Sequence, residues 1–169
     1  DETFDQVVRE SIADFNTAIE DLGFDQPFAY VARGLARSES GDREGSLSDL
    51  KKAFPQGPQN ASEYVIRGSA LDNLGDNQAA LSDLSRAVEL DPTDGNSYFL
   101  LGFVQQELGS LEDAVQSFTA AITYGQPAAI VLAARAQARR EQNDMMGALS
   151  DYDQAIAASP DVTSSAWLY

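Results

Sequence analysis

The stretch ASEYVIRGSALDNLGDNQAALSDLSRAVELDPTD, from Ala61 to Asp94, decides the fold. It contains one run of residues at helical spacing, then Gly75-Asp76, then a second helical run that ends before Pro92. The same marks return at a constant interval without insertion, so that Tyr64 is matched by Tyr30, Tyr98 and Leu132. The chain therefore contains four tandem repeats, which we assign to residues 27–60, 61–94, 95–128 and 129–162.

The interval and the pattern resemble the tetratricopeptide repeat, a helix-turn-helix unit of about 34 residues with characteristic aromatic, Gly, Ala and Pro positions. In the second repeat the residues that carry the resemblance are Tyr64, Gly68, Ala80, Leu84, Ala87 and Pro92. The four repeats together account for most of the chain. The resemblance implies an all-α fold, a right-handed α-α superhelix (solenoid) of four helix-turn-helix repeats with an extra N-terminal helix.

The residues between the two helices of each repeat are typical of a tight turn. The first helices are expected to end at residue types that accept the left-handed conformation, namely Gly41, Gly75, Gly109 and Asn143. The next residues can each cap the following helix through a side-chain oxygen, and they are Asp42, Asp76, Ser110 and Asp144. Asn60-Ala61-Ser62 is interpreted as a helix N-cap closed by Glu63 rather than as a glycosylation site.

Segments outside the repeats are expected to cover the ends of the array. Residues 1–26 contain an amphipathic helix over 3–21 that ends at Gly23, and we interpret it as a half-repeat or a cap on the first repeat. Residues 163–169 are expected to start a C-terminal capping helix that covers the last second helix with Trp167, Leu168 and Tyr169. The alternative is that the native chain continues beyond this point.

Two patterns concern the packing of the helices within a repeat. The resemblance implies that small residues of the first helices (Gly34, Gly68, Gly102, Ala136) face alanines of the second helices (Ala53, Ala87, Ala121, Ala155).

Arginine precedes aspartate at one constant spacing in Arg33/Asp49, Arg67/Asp83 and Arg135/Asp151, whereas Leu101 and Ser117 stand at these positions in the third repeat. Because both members change together, we predict an ion pair between the two helices of a repeat.

The composition narrows the classes of function. The net charge of −16 repels phosphate, which disfavours nucleic acid and anionic membranes and favours a basic or apolar partner, although acidity can also serve solubility alone. The chain has no His and no Cys, which removes most catalytic bases, nucleophiles and zinc ligands. We therefore predict no enzymatic activity, no cofactor and no metal site. The compartment stays open: cytoplasmic, or periplasmic or secreted if Asp1 is a processed start.

Tetratricopeptide arrays are similar in one functional respect, since their first helices line a concave groove that binds peptides or helices. The resemblance places in this groove Phe28, Val31, Leu35, Val65, Ser69, Asp72, Asn96, Phe99, Phe103, Gln106, Gln137 and Arg140. The apolar members are expected to form an exposed strip that packing within a repeat does not require. The carboxylate clamp of chaperone-tail binders is disfavoured, because only Arg140 and Asn96 are of the residue types that it uses.

These observations predict a non-catalytic protein–protein interaction scaffold. Its partner would be a protein or peptide with apolar anchors and basic flanks, bound in a partly apolar groove with an acidic rim. The alternatives are a self-associating structural module, joined through apolar ends or through the groove, and a regulatory segment of a larger protein.

Overall fold

The structure is a computed structural model that describes residues 2–158. This part of the chain consists only of helices and turns. This part contains α1 (Glu2–Asn16), a π-helical turn (Thr17–Asp21), α2 (Pro27–Glu39), α3 (Arg43–Ala53), α4 (Ala61–Asn73), α5 (Asn77–Leu90), α6 (Gly95–Glu107), α7 (Leu111–Thr123), α8 (Ala128–Glu141) and α9 (Met145–Ala158). From α2 onward the helices pack as consecutive pairs, α2 with α3 through α8 with α9. The predicted all-α repeat of helix-turn-helix units is confirmed. The C-terminal capping helix predicted over 163–169 lies outside the described residues.

The turns inside the pairs adopt the predicted left-handed conformation. The fourth turn shows most clearly that a left-handed residue is required at this position. Asn143 has a φ of 65° there and is the one residue other than glycine with positive φ among those described. Asp42 and Asp144 each accept a hydrogen bond from a backbone N–H in the first turn of the next helix, at 2.9 Å. The prediction for Ser110 is wrong, because its side chain makes no capping hydrogen bond.

Backbone contacts divide the chain into two compact units, one up to Leu90 and one from Asp91 on. In the first unit α1 packs against α2, and the first helices α2 and α4 lie against one another. Val8 of α1 and Ile19 of the π-helical turn are buried. Asn60 caps α4 by accepting the Glu63 N–H, so the predicted N-cap is confirmed. The Glu63 carboxylate accepts the N–H of Gln59, one residue before the N–H that a capping box uses.

In the second unit one apolar core joins three helices. Ala114, Phe118 and Ala121 of α7 pack with Val131, Ala134 and Ala138 of α8. Tyr98 and Phe99 of α6 pack against the same core. Alanines on α8 let the neighbouring helix approach closely, so that the large Phe118 ring fills the space between the helices and is fully buried.

Three of the small residues of the first helices, Gly34, Gly68 and Gly102, have as nearest neighbours residues other than the alanines that were predicted to face them. A Cβ at position 102 would lie 2.6 Å from the Phe118 ring, and one at position 68 would lie 2.9 Å from Leu84. At position 34 the nearest atoms belong to Asp49 and Ser46, both at 3.3 Å. The motif spacing located the small residues correctly, but Leu84 and Phe118 lie one helical turn before the alanines that were expected to face them.

Replacing Gly102 with Ala is expected to destabilise the protein by about 1–3 kcal/mol more than the matched change Gly34→Ala. The reason is that the added methyl group at position 102 must displace a fully buried ring, whereas at position 34 its neighbours need to move by only a few tenths of an ångström. Urea unfolding followed by circular dichroism measures both free energies of unfolding. Equal losses for the two variants would contradict this account of the packing.

Candidate peptide-binding surfaces

Ion pairs set the position of the first helix on the second in three of the repeats. Each pair is bidentate, with the arginine Nε and Nη2 donating to the two carboxylate oxygens at 2.6 to 2.9 Å. The predicted pairs Arg33–Asp49, Arg67–Asp83 and Arg135–Asp151 are thereby confirmed. A bidentate contact fixes the relative orientation of the two helices as well as their separation.

The ion pairs differ in their exposure to water. Arg33 is 2 % exposed and also donates to Asn16 and Glu20, which ties the N-terminal segment to α2. Arg67 is 36 % exposed. Hydrogen bonding to Asp49 raises the pKa of Arg33 above its ordinary value, and Asp83 does the same to the pKa of Arg67. Both guanidinium groups are therefore charged at neutral pH.

A second arginine joins the pair in the first and fourth repeats. Arg37 donates to Asp49 at 2.7 Å, and Arg139 forms the equivalent ion pair with Asp151 at 2.8 Å. The glycines at 45 and 147 leave room for this arginine, because a Cβ at these positions would lie 2.9 Å from Arg37 Cδ and 3.0 Å from Arg139 Cδ. Sequence reasoning missed this second contact, although the return of the same Arg, Asp and Gly positions in the fourth repeat was a usable signal.

The third repeat replaces the ion pair with apolar and neutral contacts. Leu101 is buried where the other repeats have arginine, and Ser117 donates a hydrogen bond to Gln105 at 2.7 Å. This hairpin is therefore held mainly by packing around Phe118. The first helix of this repeat also carries Phe99 and Phe103, at positions where the other repeats have no aromatic residue.

In the first unit, the predicted site residues lie on α2 and α4. Phe28 is 62 % exposed and meets Phe24 edge to face, with ring centroids 5.3 Å apart. Half-buried positions are occupied by Val31, Leu35, Val65, Ser69 and Asp72. The two helices are joined by a hydrogen bond from Asn73 to Ser38 at 3.2 Å. Phe24 was missed by sequence reasoning, because it lies before the first repeat and has no counterpart at the repeat spacing.

In the second unit, Phe99 and Phe103 of α6 form an aromatic cluster with Phe118. Ring centroids lie 4.9 Å apart for Phe99–Phe103 and 5.2 Å apart for Phe103–Phe118, with the rings edge to face in both pairs. Phe103 is 37 % exposed, whereas Phe99 is half-buried and packs against the core. Phe99 thus contributes to packing, contrary to the prediction that the apolar strip is not needed for it.

Polar predicted residues of this unit gather at the ends of α6 and α8. Gln106 and Gln137 both donate to the Glu141 carboxylate, at 2.7 and 3.3 Å. Arg140 is exposed at the same end of α8. Asn96 lies apart from this group, in the first turn of α6, where its backbone N–H donates to the capping residue Asp94. Glu141 was not among the predicted residues, although the glutamate at the equivalent position of the previous repeat was a signal for it.

The described helices and carboxylates were compared with the requirements of a membrane-spanning helix and of a metal site. No helix within residues 2–158 is long and apolar enough to cross a membrane. Within the same range, acidic side chains do not gather in groups of three or more that suit a metal ion.

Comparisons with known proteins agree with this architecture. Family models described as "Tetratricopeptide repeat" match residues 64–94 and residues 84–116. The fold is that of helical-hairpin repeat proteins, and residues 64–116 carry the sequence pattern of the tetratricopeptide repeat. No curated protein matches its sequence.

Several solved structures share the fold. The structure of YrrB, described as a TPR protein with an unusual peptide-binding site, is 24 % identical and has a TM-score of 0.69 over 93 % of this chain and 80 % of its own. MamA from Desulfovibrio magneticus RS-1 has a TM-score of 0.75 at 16 % identity, covering 96 % of this chain and 97 % of its own. The C-terminal part of a TPR repeat-containing protein from Cytophaga hutchinsonii has a TM-score of 0.70 at 20 % identity, covering 92 % and 61 %. These identities are low, so the likeness concerns the fold.

The buried and the exposed ion pairs should differ in their contribution to stability. Asp151→Asn removes the carboxylate that Arg135 and Arg139 share and leaves them with the more distant Asp144, 3.9 Å from Arg139, so we expect a loss of about 3 kcal/mol in the free energy of unfolding. Asp83→Asn is expected to cost about 1 kcal/mol, because water can solvate the half-exposed Arg67. Chemical denaturation at constant pH measures both values.

Asp153→Asn is the matched control for this comparison, since it removes the same charge from an exposed position of α9 and should change stability by less than about 0.5 kcal/mol. If Asp151→Asn and Asp83→Asn proved equally costly, burial of the ion pair would not be what determines its contribution.

Proposed function

We propose that this protein is a non-catalytic interaction scaffold whose first helices bind a peptide or an amphipathic helix. The partner places an apolar side chain against the aromatic cluster of α6 and places basic residues beside it. The observation that carries the proposal is the Phe99–Phe103–Phe118 cluster, in which one ring is fully buried, one is half-buried and one is open to water.

The cluster has the properties of a preformed anchor site. Phe118 and Phe99 are held by the core of the second unit, so the Phe103 ring is supported from behind and loses little freedom on binding. Aromatic side chains that sit on a rigid support are the residues on which interface energy concentrates. An apolar side chain laid on Phe103 would remove its exposed face from water and add an aromatic or aliphatic contact to the cluster.

The charges around the cluster favour a basic partner. The third repeat contains three acidic residues and no basic residue. Glu107 and Glu141 are exposed at the C-terminal ends of α6 and α8, where the helix dipole already concentrates negative charge. A lysine or arginine of the partner that reached these helix ends would offset their negative charge. Arg140 lies at the same end of α8, so it would limit how many cations the partner can place there.

The structural neighbours are consistent with this proposal at the level of fold. YrrB is described as having a peptide-binding site, and its fold matches most of this chain. For the first unit we propose an equivalent role for Phe28 with Val31, Leu35 and Val65. The two surfaces differ in that Phe28 meets the exposed ring of Phe24, whereas Phe103 meets the buried ring of Phe118.

Peptides selected from a displayed random library against the whole protein test the proposal. We expect the selected peptides to combine apolar anchors with Lys or Arg. Their dissociation constants, measured by calorimetry, should rise roughly thirty-fold for Phe103→Ser, which corresponds to about 2 kcal/mol. Phe103 is the position to change, because truncating Phe99 would also disturb the core.

Leu108→Ser provides the matched control, since Leu108 is exposed to a similar degree and lies one residue beyond α6. It should leave the affinity unchanged. Circular dichroism must show that both variants keep the wild-type melting temperature to within roughly 2–4 °C, which is the shift expected per kcal/mol for a chain of this size. Selected peptides that bind Phe103→Ser as tightly as wild type would refute the assignment of the anchor site.

The affinity of the same peptides should fall as salt is added. At about 1 M ionic strength the Debye length is roughly 3 Å, so the attraction between the acidic helix ends and basic peptide residues is screened. A calorimetric titration at increasing NaCl concentrations measures the effect. An affinity independent of salt would mean that binding is purely apolar and that the basic flanks have no part in it.

A further inference from the structure

Basic side chains lie over the tyrosine near the start of the first helix in two of the repeats. The Arg33 guanidinium carbon lies 5.9 Å and Lys52 Nζ lies 5.1 Å from the centre of the Tyr30 ring. In the second repeat, the Arg67 guanidinium carbon lies 5.8 Å from the centre of the Tyr64 ring. A cation within about 6 Å of an aromatic ring is attracted by the negative charge on the ring face. These two repeats therefore supply cations for their own tyrosines.

The third repeat has the tyrosine without the cations. Tyr98 stands at the tyrosine position, but Leu101 and Ala120 stand where the first repeat has its arginine and its lysine. No lysine or arginine occurs anywhere in residues 95–128. In the fourth repeat the tyrosine itself is replaced, by Leu132. The third repeat is thus the one whose tyrosine lacks a basic residue of its own repeat.

A second tyrosine stacks on Tyr98 instead. The rings of Tyr98 and Tyr124 lie within 16° of parallel, with their centroids 5.5 Å apart. Tyr98 is half-buried and packs against the core of the second unit, whereas Tyr124 is 42 % exposed. Because one face of Tyr124 meets Tyr98, its exposure lies on the side away from Tyr98. The pair is therefore an aromatic platform that is held from behind and open in front.

The charges at this end of the repeat favour a cation. Tyr124 is the C-cap residue of α7, and the carbonyl groups at a helix C-terminus carry partial negative charge. The last turn of α3 contains Lys51 and Lys52, whereas the last turn of α7 contains no basic residue. Asp91 and Asp94, in the turn that leads into α6, add two acidic side chains at the start of that helix. The repeat thus provides the surroundings of a cation but no cation.

We propose that the Tyr98–Tyr124 pair binds the guanidinium group of an arginine from a partner chain, stacked on the open side of Tyr124. Guanidinium is planar and weakly hydrated, so it stacks on aromatic faces more readily than an ammonium group does. The partner supplies from outside the cation that the first two repeats supply from within. The site does not depend on the Phe103 anchor, since Tyr98 lies in the first turn of α6 and Phe103 lies nearer its other end.

Nuclear magnetic resonance with the capped tripeptide Gly-Arg-Gly as the probe tests this proposal. We expect the ring signals of Tyr98 and Tyr124 to shift on titration, and the arginine side-chain protons of the peptide to move upfield over the rings. The ring signals of Tyr30 and Tyr64, which already carry cations of the chain, should move several-fold less. The neutral tripeptide Gly-Gln-Gly should give no comparable shift. Tyr124→Leu should reduce the upfield shift of the arginine protons roughly two- to five-fold, the fold-change of an exposed cation–aromatic contact.

A matched pair of variants at position 120 gives a second test, which does not require the removal of a tyrosine. Ala120→Arg restores a cation at the position of Lys52 and should compete with the peptide, whereas Ala120→Gln adds a long side chain without charge and should leave the shifts as in wild type. Circular dichroism checks that each variant keeps the helical signal. Equal shifts at all four tyrosines, or an upfield shift that survives both Tyr124→Leu and Ala120→Arg, would show that the arginine responds only to the overall negative charge, and would overturn the proposal.

Discussion

The contact between the two helices of a repeat is the constraint on which the rest of the structure depends. In the first and second repeats, the first helix places a glycine opposite a larger or charged side chain of the second helix, and a neighbouring arginine reaches the aspartate beside it. The small residue brings the helices close enough for the arginine to form a bidentate ion pair. Close packing and a directional ion pair together leave one relative orientation of the two helices.

The third repeat shows what happens when this contact is built differently. Leu101 and Ser117 stand where the other repeats have the ion pair, and the buried Phe118 ring fills the space next to Gly102. Two further phenylalanines of α6 then assemble on Phe118, and one of them stays partly open to water. The aromatic surface that we propose as a peptide anchor is therefore a consequence of how this one repeat holds itself together. Stability and the proposed anchor site depend on the same side chain there, because the Phe118 ring that supports Phe103 is also part of the core.

Buried and exposed acidic residues have different roles in this protein. The buried aspartates of the first and fourth repeats are each held by two arginines, so these acidic groups are neutralised inside the protein. Acidic residues at helix ends, such as Glu107 and Glu141, are exposed and contribute to the negative field of the surface. The net charge of −16 therefore acts mainly from exposed positions, where it can influence a partner.

The sequence by itself determined the number of described helices in the repeats, their order and the turns between them, because a constant repeat period with glycine or asparagine at the turns leaves few other folds. It also determined the three ion pairs, since Arg and Asp are replaced together in the third repeat. Only the tertiary structure decided which side chain faces Gly68 or Gly102, because the alanines and the larger residues of the second helix satisfy the same spacing. Likewise, only the structure separated Phe103 from Phe99: a small rotation of the helix about its axis is invisible in a periodic pattern, yet it decides whether a ring meets water or the core.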